Sequence, residues 1–434
     1  MHGLLLVHGA LEVVPVGAPG ELFKKGAAMG DLHVLRSSAT GGCSVVINAD
    51  GIIEDVSTDD DIAARYGHWS FDHKLDASGC CVLPGLVDAH SHPVWGGDRV
   101  HEFILKLAGA SYLEVQASGG GIQYTVDRTR DTPDQELLTL LLQRLRRMLA
   151  SGTTLLEAKS GYALNADGEV RLLRLLHQAA AFTPITISPT FLGAHAIPPL
   201  MASDEATRQV IEEQLPAVMA AKELGELSVD AVDVFCEVGA YSIAQTRAIA
   251  DAAQRSGLKL NLHVDELTPL DGAKMAGEIH AEAVSHCEEV SPEGIAALAA
   301  GGTVAVLLPT TQLLLGLKAP PAREMIDKGV IVALGSDFNP NAYCLAMPTV
   351  LHLACALLRL SPAEALTAAT LNAAHALRRS TSHGALRPGM VGDLMVLRAP
   401  RWEHLIYQLG EHASLIEQVV CAGRVVYKKP SDLP

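Results

Sequence analysis

Three segments far apart in the chain carry the side chains that hold metals best. Asp88-Ala89-His90-Ser91-His92 sets two imidazoles one residue apart, His263 opens His263-Val264-Asp265-Glu266, and Asp337 ends Gly335-Ser336-Asp337. On an extended segment residues i and i+2 project to one side, so His90 and His92 can grip one ion together. Imidazole nitrogens with a carboxylate suit an open catalytic zinc or iron site, where the ion polarises a carbonyl and makes water nucleophilic. His286 is a further imidazole within reach of that chemistry. Each of these residues has a duller use by itself. A lone His-x-His is common, a histidine at a strand end is often simply hydrogen-bonded, and an aspartate often caps a turn. Only their joint placement carries the metal reading, so the elements that place them come next.

From Val82 to Asp337 apolar, β-branched runs alternate with amphipathic stretches. The runs are Cys81–Leu83 continuing through Gly85–Ala89, then Thr153–Ala158, Ile185–Leu192, Ala231–Cys236, Leu258–His263, Ala283–Ser285, Thr303–Leu308 and Val330–Leu334. Continuous rather than alternating apolar strands are what a parallel sheet buried on both faces requires. The stretches Pro133–Ala150, Ile243–Ser256 and Ser291–Ala300 predict helices between them. Eight β–α units over this length predict a TIM barrel, with an open doubly wound sheet as the rival. Function in such a barrel collects where strands end at the C-terminal face. His90 and His92 follow strand one, His263 ends strand five, His286 follows strand six and Asp337 follows strand eight. The four or five donors thus converge on the barrel axis.

Both ends of the chain read differently. Leu4–Val7, Leu11–Val16, Leu32–Arg36 and Ser44–Ile47 at one end, with Leu394–Leu397, Val419–Val420 and Val425–Tyr427 at the other, predict short strands. Residues 1–82 and 386–434 are expected to form one composite β-sandwich domain, and 83–385 the (β/α)8 barrel. Pro362–Ala376 predicts helices that pack after the barrel and lead back to the β domain.

Composition sets the partner class. The chain has 434 residues, 49% of them hydrophobic and 19% charged, with a formal net charge of −16 and no cluster of Lys and Arg. That balance excludes a largely disordered chain and argues against nucleic acid and anionic membranes as partners. A small-molecule substrate is the expectation. The eight cysteines include no C-x-x-C pair, no run reaches transmembrane length, and the apolar run Leu4–Val7 is too short for a signal peptide. A soluble cytoplasmic protein with free thiols is expected.

The stretch Leu83-Pro84-Gly85-Leu86-Val87-Asp88-Ala89-His90-Ser91-His92 resembles the opening signature of the amidohydrolase superfamily. Gly96-Gly97-Asp98-Arg99, Gly119-Gly120-Gly121-Ile122, Glu157-Ala158-Lys159-Ser160-Gly161-Tyr162 and Thr190-Phe191-Leu192-Gly193-Ala194-His195 narrow the likeness to imidazolonepropionases. So do His263-Val264-Asp265-Glu266 and Ser336-Asp337-Phe338-Asn339-Pro340. The tail Arg401-Trp402-Glu403-His404-Leu405-Ile406-Tyr407, with Asn341-Ala342-Tyr343, resembles the animal-type branch. The resemblance covers nearly the whole chain. It implies one divalent metal, zinc or iron, on His90, His92, His263 and Asp337. It also implies substrate contacts from Tyr162, His195, Glu266 and Asn339, a propionate contact from Arg99, and a homodimer. The sequence departs from the family at Pro93 after His92 and at Asn341-Ala342, where small Gly-Ser or Gly-Thr pairs are usual, which puts contacts from that pair in doubt.

The implied reaction opens 4-imidazolone-5-propanoate with water to give N-formimidoyl-L-glutamate, a step of histidine degradation. Asp337 would share the water's proton, His286 would stabilise the oxyanion and Glu266 would relay a proton to the departing nitrogen. Arg99 would grip the propionate. Alternatives stay open at several residues. Arg99 can pair with Asp98 or Glu102, Tyr162 can be a packed aromatic, and Glu266 can cap the following helix. The glycines of 119–121 can be a linker or a close approach to ligand. Lys159 can be read as a carboxylated bridge between two metals, although a single metal fits its position better. Two rival functions share the motif set: deamination of a purine- or pyrimidine-like ring, and a non-catalytic barrel scaffold.

Overall fold

The eight apolar runs become eight parallel strands of one sheet, each hydrogen-bonded to the next in sequence order. They are Leu86–Asp88, Thr153–Lys159, Thr186–Ala194, Ala231–Cys236, Lys259–Val264, Ala283–His286, Val304–Leu307 and Ile331–Leu334. This computed structural model describes residues 1–39, 41–109 and 120–430; Gly119 of the glycine run lies outside the described residues. Most strand residues are buried on both faces, which is why no polar alternation marks them in the sequence.

The sheet closes just past the ends of its first and last strands. Asp337 N–H donates to His90 O at 2.9 Å, His92 N–H donates to Phe338 O at 2.9 Å, and Ser91 and Phe338 form a parallel bridge. Asp88, fully buried, accepts Ser336 N–H at 2.8 Å and Ser336 Oγ–H at 2.5 Å. The seam of the barrel is therefore built by the very segments that carry His90, His92 and Asp337.

The run around Gly85 is divided rather than continuous. Cys81–Pro84 pairs antiparallel with Leu394–Leu397 in another sheet, and only Leu86–Asp88 enters the barrel. A Cβ on Gly85 would sit 2.1 Å from Thr154 Oγ1, so only glycine lets the chain pass from one sheet to the other here. The strands of the chain ends form two sheets. One runs Ile53–Thr58, Cys43–Asn48, His2–Ala10 and Ser70–Asp76; the other mixes both ends, from Arg424–Lys428 through Ile416–Cys421 to Glu12–Val13 and Leu35–Arg36. The predicted strand Leu11–Val16 shrinks to Glu12–Val13 because Pro15 has no N–H to donate and Val16 turns at φ 68°. The helices expected over Pro362–Ala376 are Pro362–Ala368 and Leu371–Ala376. Thr370 between them leaves helical geometry (φ −134°, ψ −93°), re-aiming the second piece so that Asn372 bonds Lys24 and Val332 backbone groups at 2.8 Å.

Helix Asp134–Ala150 packs Leu137, Leu141, Leu145, Met148 and Leu149 inward. Arg144 on the same buried face donates to Pro93 O and Trp95 O at 2.9 Å and lies 3.6 Å above the Trp95 ring. One helix side chain thus fixes the loop that leaves His92.

Because the seam rests on Asp88, replacing it leaves a buried Ser336 N–H unpartnered. Asp88→Ala should lower the unfolding free energy by about 2–4 kcal/mol, read as a lower urea midpoint at unchanged slope. An unaltered midpoint would show that closure does not rely on this carboxylate.

Candidate metal centre and active site

The i, i+2 projection expected of the first ligand segment is realised. His90 Nε2 and His92 Nε2 lie 3.2 Å apart, and Asp337 Oδ1 lies 3.5 Å from the first and 3.4 Å from the second. The ligating atoms of His90, His92 and His263 fall within 4.8 Å of one another. Bonds of about 2.0–2.2 Å to a tetrahedral ion set neighbouring donors about 3.3–3.6 Å apart, so the spacings of His90, His92 and Asp337 fit one small divalent cation, with His263 inside the wider limit.

Two of the three remaining ring nitrogens have a partner behind them, and His92 Nδ1 is buried without a hydrogen bond. His90 Nδ1 meets Ser285 Oγ at 2.7 Å. His263 Nδ1 lies 2.8 Å from Asp233 Oδ2, and His263 N–H donates to Asp233 Oδ1 at 3.0 Å. Such outer partners turn the ring and leave Nε2 for the metal. Asp337 uses Oδ1 toward the imidazoles and accepts Thr311 Oγ–H on Oδ2 at 2.5 Å. Burial, reinforced by neighbouring charges, drives His90 and His263 well below the usual imidazole range, so both are neutral donors. Burial works to raise the Asp337 carboxyl, but His90 and His92 outweigh it and hold it well below its ordinary value. Asp265, His286, Cys287 and Asp337 all adopt positive φ (49°, 78°, 67° and 47°) at the strand ends, the sort of local strain that clusters at functional sites.

Above the donors opens a narrow cavity of about 60 Å³. His92, Arg99, Tyr162, His195, His263, Glu266, His286, Asp337 and Asn339 all line it, and His90 is buried out of its reach. Ile122 of the glycine motif also lines it, and so do Phe235, Leu267, Thr311 and Leu315, to which no motif points. These last four are ordinary core types with no sequence signal.

His195 stacks on His92 at 5.1 Å and 18°, with Tyr162 5.2 Å from the His195 ring. Its Nδ1 bonds Gly161 O at 2.9 Å, and a Cβ on Gly161 would come equally close to that nitrogen, which explains the glycine before Tyr162. Burial and His92 push His195 down to about 3. Arg99 pairs with Glu102, at 2.8 Å from Nε and 2.6 Å from Nη2, and Asp98 instead accepts Val100 N–H. The other Glu102 oxygen accepts Gly121 N–H at 2.8 Å, with Gly121 at φ 80°. Arg99 therefore both lines the cavity and is held by its neighbour.

Glu266 does not cap the next helix. Asp265 accepts the N–H groups of Gly272 and Ala273 at 3.0 and 2.9 Å, leaving Glu266 Oε2 facing His286 Nε2 at 3.6 Å. Burial, then Glu288, Asp337 and Glu237, raise Glu266 well above the carboxylate range. Burial lowers His286 to about 4. Asn339 commits its amide to the loop, donating to Asp337 O at 2.7 Å and accepting from Asn341 and Ala342 N–H at 2.7 and 3.0 Å. Asn341 lines the cavity, whereas Ala342 is buried in the loop.

Lys159 lies 2.7 Å from Glu157 Oε2 and 2.7 Å from Asp233 Oδ2. Burial opposes its charge, yet Asp233 and Glu157 raise its pKa above the ordinary value. A carbamate there would set a third negative charge against two carboxylates. The signal for Asp233 and Glu157 was available: a charge inside an apolar barrel strand needs a buried partner.

The model of the amidohydrolase family matches residues 81–426. This chain belongs to the amidohydrolase family. "Probable imidazolonepropionase" of Nematostella vectensis is 50% identical over 98% of this amidohydrolase and 99% of its own length. The protein of the same name from Homo sapiens is 49% identical over 98% and 99%. These place the chain in the imidazolonepropionase branch. Among solved structures, an atrazine chlorohydrolase from Arthrobacter aurescens complexed with zinc superposes with TM-score 0.73 at 18% identity, over 98% of this chain and 96% of that one. A guanine deaminase from C. acetobutylicum superposes with TM-score 0.67 at 16% identity, over 97% and 99%. At such identities the likeness speaks for the fold.

An ion that binds only the folded amidohydrolase stabilises it. At a zinc concentration a hundredfold above its Kd the gain is about 2.7 kcal/mol. Chelator-stripped protein should therefore melt several degrees higher once zinc is returned, and His92→Ala/His263→Ala should show no such rise. An equal rise in that variant would place the ion elsewhere.

Proposed function

We propose that this protein opens 4-imidazolone-5-propanoate with water, giving N-formimidoyl-L-glutamate in histidine degradation. The observation that carries the reading is one cavity shared by a His₃Asp donor set and Arg99, the one permanent cation among the described residues lining it. A cyclic amide bearing a carboxylate matches both halves of that cavity, and so does the name of relatives half identical to this chain.

A divalent ion on His90, His92, His263 and Asp337, zinc or iron, would lower the pKa of water from 15.7 towards about 7 and polarise a carbonyl. The chain's own residues do the rest. Arg99, steadied by Glu102, takes the propionate and orients the ring. Tyr162 and His195 flank it, and Asn339 shapes the loop beside it. The water oxygen bonds to the ring carbonyl carbon, the carbon–nitrogen bond breaks, and the water's proton passes to the Asp337 carboxylate. His286 Nε2 stabilises the oxyanion as it forms. Glu266, whose carboxyl burial raises well above its ordinary value, supplies the proton that the departing nitrogen needs. All eight cysteines are free thiols, which supports a reducing, cytoplasmic setting. Among the described residues no helix is long and apolar enough to cross a membrane. The family resemblance extends the reading to a homodimer.

The test is loss of imidazolone ultraviolet absorbance with appearance of N-formimidoyl-glutamate. Decay at the spontaneous rate without that product, or ammonia release from guanine-like rings instead, would overturn the assignment. Arg99→Met should raise KM at least about tenfold, a loss of about 1.4 kcal/mol, with a smaller effect on kcat. His286→Ala should lower kcat by about 10²–10³; normal turnover would remove His286 from the reaction.

A further inference from the structure

A buried charge cluster spans strands two to five of the barrel next to the metal ligands. Glu157 Oε1 accepts from Thr190 Oγ–H at 2.6 Å and from Asn261 Nδ2–H at 2.7 Å. Its Oε2 meets Lys159 Nζ, which meets Asp233 Oδ2, each at 2.7 Å, and that same aspartate oxygen lies 2.8 Å from His263 Nδ1. Glu157, Lys159 and Asp233 are each 0% exposed. Lys159 also touches the other ligand segment. Its backbone N–H donates to Ser91 O, between His90 and His92, at 3.0 Å, and Ser91 Oγ–H donates to Glu157 O at 2.6 Å. One lysine is therefore linked to the strand-one ligands through its backbone and to the strand-five ligand through its ammonium.

We propose that Lys159 is a positioning residue for the metal centre, clamping Asp233 so that His263 keeps Nδ1 on that carboxylate and Nε2 toward the ion. A carboxylate oxygen shared between an ammonium and a ring nitrogen has little freedom to turn. Without the ammonium, Asp233 loses one of its two anchors and the His263 ring loses its fixed orientation. Partners one step behind a metal ligand contribute about 10–100-fold to metal affinity, and the proposal places Lys159 one step further out with an effect of that size. It rests on the metal-ligand reading of His263 given above.

A purely structural role would be charge compensation for Glu157. The double variant Lys159→Met/Glu157→Gln separates the two, because it removes one positive and one negative charge and leaves the buried balance at one negative charge, as in the native trio. Metal affinity is read by competition with a chromophoric chelator, and folding by the melting curve of the metal-free protein. The expected result is a folded variant whose zinc dissociation constant rises about 10–100-fold. A folded variant with native affinity overturns the proposal. The isosteric Asp233→Asn should weaken zinc similarly, and adding it to the double variant should cost little more, since both act on one path. Independent, multiplying losses would overturn action through Asp233, as would native affinity in Asp233→Asn. Failure of both variants to fold would assign the group to scaffolding and overturn the proposal. Native protein that binds no zinc at all would instead overturn the metal-site reading itself.

Discussion

The closure of the barrel and the assembly of the metal site are one event. The first and last strands meet through Asp337 N–H on His90 O and His92 N–H on Phe338 O, and Asp88 clasps Ser336 from within. An open sheet would leave those backbone groups unpaired in an apolar interior, which is costly. Satisfying them sets His90 Nε2, His92 Nε2 and Asp337 Oδ1 within 3.5 Å of one another. Donors contributed by the two edges of the sheet thus converge only in a closed barrel.

Around that seam the protein keeps many polar groups in a dry interior by setting them beside one another. Asp233 serves His263, Ser285 serves His90, Thr311 serves Asp337 and Lys159 joins Asp233 to Glu157. Asp265 and Glu237 perform the loop duties that free Glu266. The first accepts helix-start N–H groups, and the second accepts Leu267 N–H at 2.9 Å. Glu266 is left facing the cavity once structure has claimed its neighbours, and burial with nearby carboxylates keeps its proton affinity high.

The eight strands were legible in the chain, and so was the placing of His90, His92, His263, Asp337 and most cavity residues at their ends. Less was legible where one residue serves two masters. Arg99 lines the cavity yet pairs with Glu102, and Asn339 lines it yet spends its amide on the turn to Ala342. Asp233 went unnamed, Glu157 stood only within a motif and Glu102 only as one possible partner of Arg99, because a carboxylate shows its purpose only through its neighbour. The division at Gly85 was hidden too, since Cys81–Leu83 and Leu86–Asp88 are equally apolar and differ only in which sheet receives them.

Read alone, the chain specifies its local periods, its ligand types and their order along the barrel, because those follow from neighbours a few residues apart. Folding had to choose the partners. Asp88 finds Ser336 across 248 positions, His90 finds Ser285 across 195 and Asn261 finds Glu157 across 104. Pairings over such distances depend on strand register and on the emptiness of a shared interior, and these exist only once the sheet has closed.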